Sequence, residues 1–161
     1  MSFVVNIPSI VVYLKKICKM KDYNKSDEPI TYESVDEKDV LYLIRAVRKG
    51  IGYHWFAELA KAFPFSMNDW SGFLHLSERT IQRYQKEVKA FDPVSSERII
   101  EITLLYKQAV GVFGSKKKLD VWLEIQNLAL GGAKPRELLD STFGLQLIRN
   151  ELVRIEHGIL A

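Results

Sequence analysis

Residues 112–161 read VFGSKKKLDVWLEIQNLALGGAKPRELLDSTFGLQLIRNELVRIEHGILA. Gly114 tolerates the left-handed conformation that closes a helix, and Ser115 after it is a ready N-cap. The helix this opens carries Leu119, Trp122 and Leu123 on one face. The paired Gly131 and Gly132 interrupt any regular structure. Pro135 sits where a first helical turn tolerates proline, predicting a short helix through Arg136–Asp140. Thr142 is the expected cap of a last helix, whose Leu145, Ile148, Leu152 and Ile155 fall in one apolar stripe. Gly158 stops it, leaving Ile159, Leu160 and Ala161 beyond. Taken alone, the pattern describes a small bundle of three short helices punctuated by glycine and proline.

The same residues carry a resemblance. F-G, D-V-W-L, N-x-A-L-G-G-x-K-P-x-E-L-L and G-x-x-L-I-x-x-E-L-x-R-I-E-H-G occur in order across residues 106–161. This resembles the toxin-binding domain of Xre/MbcA/ParS antitoxins. The resemblance implies a protein that binds and silences a cognate toxin, in these systems usually one of the RES fold that consumes NAD or transfers ADP-ribose. It implies no cofactor.

Upstream, Glu97–Phe113 is apolar around much of its circumference, with Ile99, Ile100, Ile102, Leu104, Leu105, Ala109 and Val112. Such a helix is expected between two layers, joining the halves of the chain rigidly. Asp92, Pro93 and the Ser95–Ser96 pair mark a boundary before it. Residues 66–87 have the anatomy of a helix-turn-helix. Ser66 with Asp69 forms an approximate capping box for a helix through Leu74, and Ser77 caps a second helix from Glu78 to about Lys89. The run L-S-E-R-T-I-Q-R-Y resembles the start of a recognition helix in Xre-like repressors. Leu76, Ile81 and Tyr84 would pack inward, leaving Arg79, Gln82, Arg83 and Lys86 outward. Arginine reads guanine and glutamine reads adenine by paired hydrogen bonds, while Lys86 suits a phosphate. Two positions depart from the pattern: His75 stands where the turn usually has glycine, and Ser71 where alanine is usual.

Before this unit, Val40, Leu41, Ile44 and Val47 predict a helix ended by Gly50 and Gly52. A second, residues 53–63, buries Trp55, Phe56, Leu59 and Phe63 and stops at Pro64. Residues 7–20 form an amphipathic pattern, with Ile10, Val11, Leu14, Ile17 and Cys18 on one face and Lys15, Lys16 and Lys19 opposite. That pattern suits a helix packed on the chain's own core or, less simply, one lying on a membrane surface. Residues 21–39 are polar and read as a loosely held linker, acidic from Asp27 to Asp39.

The 161 residues carry a net charge of +3. The excess lies in residues 41–94, with eight basic and five acidic side chains, which permits DNA contact without establishing it. No apolar run approaches the roughly 20 residues that span a bilayer. The N-terminus lacks the pattern of a secretory signal, and Cys18 is the only cysteine, so no internal disulfide can form. The simplest expectation is a cytoplasmic protein without membrane attachment. His54, His75 and His157 stand apart from any nucleophile or spaced carboxylate pair. Gly131-Gly132 with Lys134 lacks the spacing of a phosphate loop. No metal site and no enzyme are read.

The expected architecture is all-α. Residues 1–39 are an N-terminal helix and linker, 40–94 an Xre-like helix-turn-helix domain, and 95–161 a small helical toxin-binding domain. The expected partners are a cognate RES toxin, operator DNA and a second copy of the chain. Arg79, Gln82, Arg83 and Lys86 would bind the operator. The toxin-facing group would be Arg149, Arg154, His157 and the tail Gly158, Ile159, Leu160 and Ala161, covering an NAD cleft in place of the pyrophosphate. The alternative is a stand-alone helix-turn-helix regulator whose C-terminal bundle only dimerises.

Overall fold

Capping side chains set most of the helix starts. The structure is a computed structural model describing Tyr32, Val35 and residues 40–158. Among these residues the chain forms seven α-helices: α1 Val40–Lys49, α2 Tyr53–Ala60, α3 Met67–Leu74, α4 Glu78–Glu87, α5 Pro93–Phe113, α6 Lys116–Leu123 and α7 Thr142–Glu156. Two 3-10 turns, Leu128–Leu130 and Pro135–Leu138, lie between α6 and α7. Ser66, Ser77, Asp92, Ser115 and Ser141 each accept a backbone N–H in the first turn of α3 to α7. Each such cap contributes about 1 kcal/mol. The fold is all-α, a helix-turn-helix unit followed by a second helical unit.

α5 is the spine. It packs against α1 and α3 on one side and against α6 and α7 on the other. Ile99, Ile102, Leu105 and Ala109 are buried along it, each Ile or Leu contributing roughly 1.5–3 kcal/mol. An aromatic cluster fills the space under α2 and α3. The Trp70 ring meets Phe56 at 5.2 Å and Phe63 at 5.6 Å, and Phe63 meets Tyr106 of α5 at 4.8 Å. A single antiparallel bridge ties the loop after α1 to the segment after α4, with Tyr53 N–H donating to the Lys89 carbonyl and Phe91 N–H to that of Ile51.

Several expectations need correction. α5 begins at Pro93, not Glu97, because Asp92 caps it and Pro93 occupies the first turn. Ser95 and Ser96 are therefore helical, not a boundary. Ser96 is fully buried; its Oγ accepts from Ile51 N at 2.9 Å and donates to the Phe91 carbonyl. The last helix is capped by Ser141 rather than Thr142. Arg136–Asp140 is not an α-helix: a 3-10 turn opened by Pro135 runs only to Leu138, and Leu139 and Asp140 are turn residues. α2 ends at Ala60, short of Pro64, and α4 ends at Glu87, where Val88 takes a left-handed cap at φ 52°. On α1 the buried residues are Tyr42 and Leu43, while Val40, Leu41 and Ile44 are exposed. The linker reading also fails at both of its described positions. Val35 is fully buried and its carbonyl accepts from Lys107, and Tyr32 meets Phe63 edge-on at 5.9 Å. The predicted helix at 7–20 and the tail Ile159, Leu160 and Ala161 lie outside the described residues.

Candidate functional site

The turn between α3 and α4 is built tightly. Ser66 and Asp69 satisfy each other's backbone N–H groups at the start of α3. Its end is closed by His75, left-handed at φ 53°, while Leu76 N–H reaches back to the Ser71 carbonyl at 3.0 Å. Ser77 Oγ then accepts Thr80 N–H at 3.1 Å and starts α4. Histidine thus does what glycine does elsewhere in such turns, at a steric cost of roughly 1–2 kcal/mol. Part of that cost is offset outside the turn: the His75 ring lies 2.8 Å from the Asp140 carbonyl, which only a protonated Nε2 can satisfy.

Ile81 of α4 is fully buried and Tyr84 packs on Phe91 at 5.2 Å, as the sequence predicts. The outer face presents Arg79, Gln82, Arg83 and Lys86, all exposed. At spacing i, i+3, i+4 and i+7 the four share one face. They line a shallow open depression with Ser77, Thr80 and Glu87. Glu87 is an acidic group on this face that the sequence reading did not single out. Its carboxyl is held below its usual range by hydrogen bonding and charge from Lys89, with a smaller contribution from Arg83. The face is therefore basic at three positions and presents hydrogen-bonding groups in the row that a major groove can receive.

The second surface is the outer side of α7. Its inner stripe is as expected: Leu145, Ile148 and Leu152 are buried and Ile155 is half-buried. Gly144 lets it approach the Pro135–Leu138 turn closely, because a Cβ there would overlap the Leu138 carbonyl. Arg154 and His157 are exposed, and Gly158 is exposed at φ 67°. Arg149 is placed differently from the expectation. It is half-buried, its Nε is enclosed without a partner, and its charge acts on Glu101 of α5. It stands about a third of a turn from the stripe that holds Arg154.

Sequence reasoning missed what shares Arg154's stripe. Phe143, Leu147, Asn150 and Arg154 follow at i, i+4, i+7 and i+11. Phe143 is 91% exposed, and Leu147 is exposed too. Leu128, on the 3-10 turn packed against α7, is 94% exposed. The signal was available, since Phe143 and Leu147 are apolar residues left off the core stripe. Large aromatics left wet in this way mark interaction surfaces.

The two surfaces are mechanically connected. Arg136, within the second 3-10 turn, bonds both Asp69 at the start of α3 and Glu124 after α6. Among the described residues, no cluster of three or more His, Cys, Asp or Glu side chains could hold a metal, and no helix is long and apolar enough to cross a membrane.

Comparison with known proteins gives matches to both halves. The antitoxin Xre-like helix-turn-helix domain matches residues 43–103, and the antitoxin Xre/MbcA/ParS C-terminal toxin-binding domain matches residues 108–158. The two meet inside α5. An antitoxin Xre of Photorhabdus laumondii is 29% identical over 123 residues, covering 68% of this chain and 83% of that protein. One from Yersinia enterocolitica is 29% identical over 87 residues, covering 53% and 59%. A protein of a Sphingobium species named Prs ADP-ribosylating antitoxin is 22% identical over 150 residues, covering 88% and 94%.

Proposed function

Because the chain belongs to the Xre/MbcA/ParS antitoxins of toxin–antitoxin systems, we propose that it neutralises a RES-type, NAD-consuming toxin with the outer side of α7 and represses its own operon through α4. The observation that carries the first half is the exposed Phe143, beside Leu147 and on one stripe with Arg154. An aromatic anchor flanked by a cation is the composition of an interface hot spot. Arg154, His157 and the tail Gly158–Ala161 continue from it, with Arg149 behind them on the α5 side. In this reading the anchor docks the toxin, and the basic end with its short apolar tail covers the cleft where the NAD pyrophosphate would sit. The name of the Sphingobium relative supports an ADP-ribose chemistry for the system. The second half is supported by the exposed row Arg79, Gln82, Arg83 and Lys86, with a homodimer as the binding form.

The test is co-expression with the adjacent toxin gene, followed by growth and co-purification. Phe143→Asp should abolish rescue and weaken toxin binding by about 30-fold or more, a hot-spot loss of at least roughly 2 kcal/mol. Deleting residues 158–161 should keep the complex but weaken inhibition. Full rescue by both variants would overturn the toxin-facing assignment. If Phe143→Asp leaves toxin binding intact and instead splits a dimer of the free protein, the stripe is a self-association seam. That outcome favours a stand-alone regulator with a dimerisation bundle.

A further inference from the structure

His75 is left-handed at φ 53°, a conformation that glycine adopts without strain. Its ring bonds the Asp140 carbonyl at the protein surface. Net of solvation, one such bond contributes no more than the left-handed backbone costs. Histidine therefore adds no stability over glycine at this position. A strained residue that stability does not explain calls for a function of its side chain.

That side chain holds one end of α3. Arg136 and Asp140, four residues apart in the C-terminal unit, grip the two ends of this helix. The Arg136 guanidinium bonds Asp69 in the first turn and lies over the Phe65 ring at 5.6 Å. The same Asp69 carboxylate accepts Ser66 N–H in the capping box. At the other end, about 9 Å along the helix, the Asp140 carbonyl accepts from the His75 ring. Only Leu76 and Ser77 then separate His75 from α4. Of its own residues α4 buries Ile81 only. Beyond its far end the Lys89 carbonyl accepts from Tyr53 N–H, and its near end follows the turn.

We propose that the contact between His75 and Asp140 sets the tilt of α4, making His75 a positioning residue for base recognition. This rests on the DNA reading given above for α4. With Lys89 as pivot, a tilt of about 10° moves the backbone at Gln82 by about 2 Å. Paired hydrogen bonds to a base edge do not survive such a shift, because they weaken steeply with distance and angle. Attraction to phosphates falls off only over the Debye length, so it survives. The ring contact therefore serves discrimination between sequences rather than general attraction to DNA. Discrimination is then a property of the whole chain, since the carbonyl that fixes the turn leads directly into the Ser141 cap of α7.

Two substitutions in the full-length protein pull stability and discrimination in opposite directions. His75→Gly relieves the backbone and removes the ring. Its urea midpoint should equal or exceed the native one. Its preference for a duplex from upstream of its own gene, over a random duplex of equal length, should fall about tenfold in gel shifts. His75→Gln keeps an N–H donor at the same reach from Cβ as Nε2, on a residue that favours the left-handed region less. It should lower the midpoint and retain most of the preference. Binding to the random duplex should change little in either variant. A residue serving only the fold would move midpoint and preference together. That result, or native preference in His75→Gly, overturns the inference and leaves the DNA reading of α4 standing. Native protein that does not distinguish the two duplexes overturns that reading, and the inference with it.

Discussion

Gly144 shows how one missing methyl sets the geometry of the C-terminal half. A Cβ at this position would collide with the Leu138 carbonyl, a backbone atom that cannot swing aside. Gly144→Ala should therefore push α7 off the 3-10 turn and destabilise the protein by about 1–3 kcal/mol. Gly111 on α5 is the control. Nothing lies within 4 Å of where its Cβ would stand, so Gly111→Ala should stabilise by about 0.5–1 kcal/mol. Urea denaturation of the two variants should move the midpoint in opposite directions. Asp69 is the other residue with a measurable signature. Its burial alone would raise the carboxyl, but hydrogen bonds from Ser66 and Arg136 outweigh this and hold it below its usual value. A depressed carboxylate contributes stability above the unfolded value near pH ~3.9, and that contribution is lost as pH falls through the folded value. Asp69→Asn should cost about 1–2 kcal/mol near neutral pH. The gap to the native protein should close as pH falls from about 4 toward 2. An equal gap at both ends would mean that the carboxylate's charge contributes nothing.

At the scale of elements, α4 separates sequence reading from phosphate contact. If it enters a major groove, Arg79→Ala or Arg83→Ala should cost about 1–3 kcal/mol of operator binding and relax base preference. Lys86→Ala should weaken binding to every sequence alike and flatten its salt dependence. Gel shifts at two salt concentrations against operator and random DNA distinguish these outcomes; sequence-blind losses from all three would rule out direct readout. The start and facing of this helix were legible in advance, because a cap at Ser77, inward Ile81 and Tyr84 and four outward polar residues agree on one orientation; its end at Glu87, closed by a left-handed Val88, was not. α1 was less legible. Its apolar residues exceed what one face can bury, and periodicity cannot say that Tyr42 and Leu43 take the core while Val40 and Ile44 stay out. The start of α5 was missed because Asp-Pro and two serines are read as a break, when an aspartate cap and a proline in the first turn begin a helix equally well. Ser96 could not be assigned from spacing at all, since its partner Ile51 lies 45 residues away. For the same reason Arg149 was read as outward: its neighbour Glu101 is set by packing between α5 and α7. The apolar anchor on α7 was visible as residues but not as a surface, because a core stripe explains a helix before its remaining apolar side chains are counted.

For the whole molecule, the decisive feature is that both halves bury their cores on one helix. α5 gives Ile99 and Ile102 to the same continuous core that holds Trp70 on one side and Ile148 and Leu152 on the other. His75 to Asp140, Arg136 to Asp69 and Arg98 to Thr142 fasten the halves further. Neither half can let go without wetting several Ile and Leu side chains at roughly 1.5–3 kcal/mol each. Unfolding followed by tryptophan fluorescence and by far-ultraviolet circular dichroism should therefore give one coincident transition. Limited proteolysis should spare residues 93–98, where a flexible tether would be cut first, since Pro93 opens a helix and Ser96 is buried within it. Two separated transitions, or early cleavage at 93–98, would mean that the halves move independently. With one rigid body, a toxin bound on α7 and DNA bound by α4, the two roles proposed for these helices, would stand at a fixed relative orientation. Each partner would then constrain where the other can be in the complex, through the spine and the three ties rather than through any contact of its own.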